Sequence, residues 1–283
     1  MRRLLATAAV SLGLLAAPIA LAPDAEAAET EACAGCEALL DLAVAHPSRK
    51  EDRARDPYRH PAETLAFFRI RPDMKVGEYA PGGGWYSRLL GVYLGGQGHL
   101  AGLYFNTQVT PLSDEAKQGT RDAAAKFAAQ VSGWTGQPAE RFSGFTLDAV
   151  PEGEKGTFDR IVIMRMMHNI HRFGTLHHEL VAMRGLLKPG GMLGIEQHRA
   201  KADASADYAD GSKGYMRQKD VIALVEAHGF ELVAKSEINA NRKDAANYPE
   251  GVWELPPVLR TKREDLKGVG ESDRMTLLFR KRP

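Results

Sequence analysis

From residue 61 onward the apolar positions fall into two regimes. Short, nearly continuous apolar runs bounded by Gly, Pro or Asp predict strands at 75–79, 99–104, 145–148, 158–164, 192–197, 230–238 and 273–281. Between them, apolar residues spaced by three and four predict helices over 85–94, 113–132, 176–187 and 218–228. A further short helix starts at Pro61, where proline suits the first turn, and Gly229 stops the helix that precedes it. Strand and helix alternate along most of the chain, which predicts an α/β domain with a largely parallel sheet. The last two strands have no helix between them, only a Pro-rich segment, 248–257, so they are expected to form an antiparallel pair at the sheet edge.

The first 60 residues follow a different pattern. Arg2 and Arg3 precede an apolar run from Leu4 to Leu21, and Ala25-Glu26-Ala27 offers a small-x-small cleavage site. This arrangement predicts a secretory signal over 1–27, with a retained anchor as the alternative and the arginine pair leaving a twin-arginine route open. The expected product is an exported protein, periplasmic or extracellular, without a stable membrane anchor. Residues 28–60 form a polar extension ahead of the domain at 61–283. It holds Cys33 and Cys36, spaced C-x-x-C with Glu37 next, which excludes haem attachment. In an oxidising compartment the pair reads as a short-loop disulfide or as two thiols on a tail. The mixed-charge run 49–56 is expected to be solvated.

Composition removes one class of partner. Lys and Arg total 37 against 36 Asp and Glu, so no basic field points to nucleic acid. The sharpest chemical signal is the segment 75–85, Lys-Val-Gly-Glu-Tyr-Ala-Pro-Gly-Gly-Gly-Trp. A strand ends in acidic Glu78, a glycine cluster follows, and a helix begins. Glycines let backbone approach a ligand, and a helix start presents unpaired N–H groups.

Three segments carry a family resemblance: Glu78-Tyr-Ala-Pro-Gly82-Gly-Gly84, Phe158-Asp-Arg-Ile-Val-Ile-Met164, and Leu186-Leu-Lys-Pro-Gly-Gly-Met-Leu193. In this order and spacing the chain from residue 61 resembles a class I S-adenosylmethionine-dependent methyltransferase, and within that family the exported branch of predicted methyltransferases. The resemblance implies a Rossmann-like, doubly wound seven-stranded sheet, mostly parallel with an antiparallel C-terminal edge pair. It also implies S-adenosylmethionine as cofactor and a small-molecule methyl acceptor. The cofactor-binding positions it points to are Glu78, Ala80, Gly82, Gly84, Tyr104 and Asp148. Two of these depart from the family pattern: Ala80 stands at the first glycine, and Tyr104 stands where an acidic residue ends the second strand.

Acceptor-side residues in such a fold follow strands four and five, which singles out His168, His171 and His198 as candidate general bases, histidine having a pKa near neutrality. Arg55, Asp56, Tyr58, Arg59 and His60 precede the first helix and could cover the acceptor site. Gly251 to Pro257 reads as an edge loop or part of a substrate wall. His168, His171, His177 and His178 near several methionines invite a metal reading, but the methionines fall in a strand and the last two histidines diverge on a helix, so no metal is assigned. The alternative to an enzyme is an exported, non-catalytic binding protein that keeps the fold, motivated by Ala80, Tyr104 and the cytoplasmic origin of the cofactor.

Overall fold

A computed structural model describes Cys33 and residues 35–283; the expected signal over 1–27 lies outside the described residues. Seven strands form one sheet in the order β3-β2-β1-β4-β5-β7-β6. They are β1 (Lys75–Tyr79), β2 (His99–Tyr104), β3 (Phe142–Thr146), β4 (Phe158–Met164), β5 (Leu187–His198), β6 (Phe230–Ser236) and β7 (Arg274–Lys281). β1 pairs in parallel with both β2 and β4, and β4 in parallel with β5. β7 runs antiparallel to both β5 and β6, so the last strand inserts between them. The α/β class, the mainly parallel sheet and the antiparallel C-terminal pair are therefore as the hydrophobic pattern predicts. β3 begins three residues earlier than expected, because Phe142 and Phe145 both turn inward while Leu147 and Asp148 belong to the turn beyond it.

Helices cover both faces. One layer contains α1 (Cys36–Ala45), α3 (Pro61–Phe67), α4 (Trp85–Leu94) and α5 (Asp114–Thr135), whose Leu40, Leu65, Leu89, Leu90 and Phe127 pack with Val76, Val162 and Leu278 of the sheet. The other contains α6 (Met167–Arg172), α7 (Leu176–Leu186) and α8 (Gln218–Ala227), packed through Ile170, Leu180 and Val225 against Ile161, Ile163 and Ile195. Buried on both faces, the central strands read as continuous apolar runs and not as alternating ones.

Two regions depart from expectation. The charge run at 49–56 is solvated only in part: Lys50, Glu51 and Arg53 are exposed, but Arg49 is fully buried and Asp52 is 9% exposed, and the following Arg59 is 2% exposed. Burial is possible because each charge has a partner, Arg49 on Asp56 at 2.7 Å and Asp52 on Arg88 at 2.5 Å. Residues 36–59 thus form α1, two 3-10 turns and the short helix α2 (Asp56–Arg59), lying against the domain. Cys33 and Cys36 are joined as a disulfide ahead of α1. Secondly, the segments after β5 and between β6 and β7 build a small core of their own from Tyr215, Ala246, Tyr248, Val252 and Leu255. That core sits beyond the carboxyl end of β5 and the amino end of β7, tied there by Gln197 Nε2 donating to the Gly214 carbonyl at 2.7 Å.

Candidate functional site

In an open parallel sheet, ligands bind outside the carboxyl ends of the strands, where the strand order reverses. Here the reversal falls between β1 and β4, and β1 runs straight into the glycine turn. Ala80, Gly82 and Gly84 all take left-handed backbone, with φ of 49°, 58° and 76°. Gly84 caps α4, and a Cβ there would strike the Trp134 ring at 2.5 Å. Gly82 and Gly83 are different. Both are exposed, and a Cβ at Gly83 would meet nothing within 4 Å. The turn is thus packed from behind and open in front, the shape of a cradle.

The N-terminal segment supplies the backing. Arg88 of α4 donates to the Gly83 carbonyl at 2.9 Å and is itself held by both carboxylate oxygens of Asp52. Trp85 donates its indole N–H to the Asp52 carbonyl at 3.2 Å, with the Arg49 and Arg59 guanidiniums 4.9 and 4.6 Å from its ring centroid. Beneath the turn, Glu78 is 3% exposed and accepts from the Ser87 hydroxyl at 2.6 Å. Burial pushes its carboxyl up to about 8, against the pull of Ser87, Arg165 and Arg88.

On the β2 side, Tyr104 packs edge-on against Phe127, with ring centroids 6.3 Å apart. Burial, then the nearby Glu78, pushes the Tyr104 phenol well up, so it acts as a neutral donor. Asp148 is engaged within the protein. Its two oxygens accept from the Thr107 amide at 2.7 Å and the Thr107 hydroxyl at 2.8 Å, locking the loop after β2 to the turn after β3. Burial alone would raise the Asp148 pKa, but these donors hold it below the usual carboxylate range. Glu179 of α7, unmarked by any sequence motif, buttresses the same loop by accepting from the Asn106 amide at 3.0 Å.

Beyond β4 and β5 the structure brings His168 and His198 together, ring centroids 5.6 Å apart, with Trp253 6.1 Å from His168. His168 lies within reach of Gln197 Oε1 at 3.3 Å, and His198 Nδ1 of the Ser272 hydroxyl at 2.6 Å. Burial lowers His168 to about 4, and burial followed by the neighbouring His168 and Arg274 takes His198 well below its ordinary value. Both rings are neutral at pH 7 and can accept a proton. His171 stands three residues further along α6 and is not part of this ring pair. The segment Gly251–Glu254 places Trp253 as a wall over the histidines.

The same edge carries a buried ion network that sequence motifs do not reveal. Glu196, fully buried at the end of β5, meets Arg274 of β7 at 2.7 Å and Arg165 at 3.0 Å. Glu271 meets Arg274 at 2.6 Å, Arg59 at 3.1 Å and Arg55 at 2.5 Å. The visible signals were single charges set against apolar runs: Arg165 immediately after β4, and Arg274 at the head of Met-Thr-Leu-Leu-Phe. Nothing in the sequence tells which carboxylate each would meet.

Two surface clefts lie elsewhere. One, lined by Asp73, Lys75, His99, Asp159 and Lys188, is at the amino ends of the strands; the other is lined by Arg199, Glu237, Arg242 and Asp273. Neither includes Gly82, Gly83 or Gly84 or either histidine of the pair, so the chemistry, not the depth of the indentation, locates the site. Among the described residues no group of three or more His, Cys, Asp or Glu side chains is placed to hold a metal ion.

No family model matches the chain, and no curated protein matches it. Solved structures do. The chain is similar to a SAM-dependent methyltransferase from Aquifex aeolicus at 14% identity, covering 82% of this chain and 96% of that one with a TM-score of 0.52. It is also similar to the 1,6-didemethyltoxoflavin-N1-methyltransferase of Burkholderia thailandensis, solved with 1,6-didemethyltoxoflavin and S-adenosylhomocysteine bound, at 13% identity, covering 86% of this chain and 88% of that one with a TM-score of 0.41. At these identities likeness speaks to architecture, and the first match carries it: the strand order and the inserted antiparallel β7 make this the class I methyltransferase fold.

Proposed function

We propose that the protein transfers a methyl group from S-adenosylmethionine to a small-molecule acceptor. The observation that carries this reading is the open glycine turn at the strand-order reversal, with buried Glu78 beneath it and two neutral histidines across the same edge. The residues fit such a cofactor in part. Gly82 and Gly83 leave room for it, and Tyr104 offers a hydroxyl or a ring face at the end of β2. Asp148 acts on the cofactor only through the loop it fixes, since its oxygens already serve Thr107.

When bound, the cofactor supplies an electrophilic methyl carbon on a sulfonium. The tasks left to the chain are to place the acceptor atom in line and to take its proton. We assign the second task to His168 and His198, with Trp253 edge-on to the His168 ring. An imidazole lowered to about 4 is a weak base, so the step needs an acceptor that is itself acidic or that raises the histidines on binding.

A second reading, a binding protein that keeps the fold without catalysis, is favoured by one feature: the end of β2 presents a neutral phenol in place of a carboxylate. Titration calorimetry with S-adenosylmethionine and S-adenosylhomocysteine separates the fold from its use. Gly83→Leu is the variant of choice, because Gly83 has neither left-handed backbone nor a neighbour within 4 Å. Binding of both ligands to the wild type, weakened at least about tenfold in Gly83→Leu with the fold intact, is the expected result. Absence of binding by either ligand would remove the methyltransferase reading, and binding without turnover across an acceptor screen would favour the second one. We further infer export, from residues 2–27, and placement in the exported branch of the family; mass analysis of the secreted product should show the chain beginning near residue 28.

A further inference from the structure

The ion network beyond β4, β5 and β7 does not balance. Four guanidiniums, those of Arg55, Arg59, Arg165 and Arg274, share two carboxylates, Glu196 and Glu271. Arg274 and Arg59 are 1% and 2% exposed and so out of reach of bulk water, whereas Arg55 and Arg165 are 33% and 20% exposed. Arg59 commits its Nε to Glu271, while its Nη1 is buried without a hydrogen-bond partner among the described residues. The Nδ1 of the adjacent His60 is likewise unpartnered.

A buried guanidinium N–H without an acceptor is costly, and native structures keep such groups for a purpose. Arg165 adds a second sign. It follows β4 directly and holds left-handed backbone, φ 58°, with its amide donating to the Glu196 carbonyl at 2.6 Å. A non-glycine residue held in that region at the end of a central strand is strain located at a site. Its side chain is 20% exposed, so this member of the network reaches solvent. Burial, then the Arg165 charge, lowers Arg59 to about 9; the two guanidiniums lie over neighbouring rings at the start of α4, Arg59 4.6 Å from the Trp85 centroid and Arg165 5.9 Å from that of Tyr86.

Resting on the methyl-transfer reading above, we propose that Arg59 and Arg165 form an anion subsite that holds a carboxylate or phosphate group of the methyl acceptor. The position of Arg165 favours acceptor over cofactor. The glycine turn opens over β1 and β2, whereas Arg165, Glu196 and Arg274 lie over β4, β5 and β7, beside His168 and His198. Arginine suits the task because its planar fork matches either oxyanion. The subsite also supplies what the histidines lack. Arg165 lowers both rings, and Arg59 and Arg274 lower His198; an anion bound among them offsets those charges and makes each imidazole a better base.

The probes are inorganic phosphate and succinate, titrated calorimetrically into the whole protein in chloride-free buffer, with and without saturating S-adenosylhomocysteine. Arg165→Gln is the lead variant, since Arg59→Gln strips Glu271 of a buried partner and endangers the fold. Arg280→Gln, at the far edge of β7, is the control. Binding of either anion should weaken about tenfold or more in Arg165→Gln, stay unchanged in Arg280→Gln, and persist with S-adenosylhomocysteine bound. Equal binding in Arg165→Gln and wild type, or no binding of either anion to the wild type, would overturn the subsite. Competition between the anions and S-adenosylhomocysteine would overturn it too, by giving the arginines to the cofactor's own carboxylate. Failure of the underlying reading looks different: S-adenosylhomocysteine would not bind at all, whatever the anions do.

Discussion

The two halves of the candidate site are made of opposite materials. The half over β1 and β2 is backbone and space: three residues in left-handed conformation, two exposed glycines, and a carboxyl, Glu78, buried without an ionic partner. The half over β4, β5 and β7 is charge: two fully sequestered carboxylates and the arginines that crowd them. The first half is assembled from residues within a few positions of one another. The second joins residues 55 and 271, some 216 positions apart, and 59 and 271, some 212 apart. A local motif can specify a turn, but only the finished fold can specify an ion network. The cradle can therefore tolerate substitution in front, while the charged half loses stability with each partner removed.

The largest expected effect breaks the charged half. Arg274→Met leaves Glu196 and Glu271 buried with their shared partner gone, and breaking such a pair costs about 3–5 kcal/mol. Urea unfolding should show that loss as a fall in midpoint. Gly83→Leu, on the cradle side, should move stability by no more than about 0.5 kcal/mol, as an exposed position without neighbours does. Equal losses in the two variants would mean that the halves do not differ as described.

This contrast also sets what could be read in the sequence. β1, α4, β2 and β4 lie where the hydrophobic pattern puts them, because each is a contiguous apolar run or a periodic segment with glycine or proline close to its ends. The glycine turn was legible for the same reason: its chemistry is contiguous. The charge run at 49–56 is solvated at Lys50, Glu51 and Arg53, but its pattern does not show that Arg49 and Asp52 turn inward. A run of mixed charge looks the same whether its partners are water or Arg88 and Glu271, and those partners come from other elements. His168 and His198 could be named from their positions after strands, but not the pairing that excludes His171. Asp148 could be placed at the right edge, but not its engagement with Thr107, 41 positions away.

The halves should also answer pH in opposite senses. Burial alone would raise Glu271, yet Arg59, Arg274 and Arg55 hold it down at about 2, below its ordinary 4.5. A depressed carboxyl contributes stability that is present above 4.5 and lost as pH falls through 2. Glu78 is raised by burial from 4.5 to about 8, so its contribution is present below 4.5 and lost as pH climbs through 8. Each effect is on the order of a few kcal/mol. Stability measured against pH should therefore lose part of its acid limb in Glu271→Gln and part of its fall between about pH 4.5 and 8 in Glu78→Gln. If Glu78→Gln left stability between pH 4.5 and 8 unchanged, the cradle would not contain a carboxyl that resists ionisation.

The smallest expected effect sharpens the cradle itself. Ala80 holds φ at 49°, a conformation that costs an L-residue about 1–2 kcal/mol and a glycine almost nothing. Its amide is fixed by the Leu103 carbonyl at 2.7 Å, so the backbone cannot relax away from that angle. Ala80→Gly should relieve the strain. Glycine's greater freedom in the unfolded chain returns about 0.5–1 kcal/mol of the gain, leaving a net stabilisation of some tenths to about 1 kcal/mol. In a chain of this size that is a rise in melting temperature of up to about 2–4 °C. Cofactor affinity should hold or improve, since the turn keeps its shape. A fall in melting temperature would mean that the alanine methyl packs against the core strongly enough to outweigh the strain, and Ala80 would then be a structural choice and not a tolerated departure.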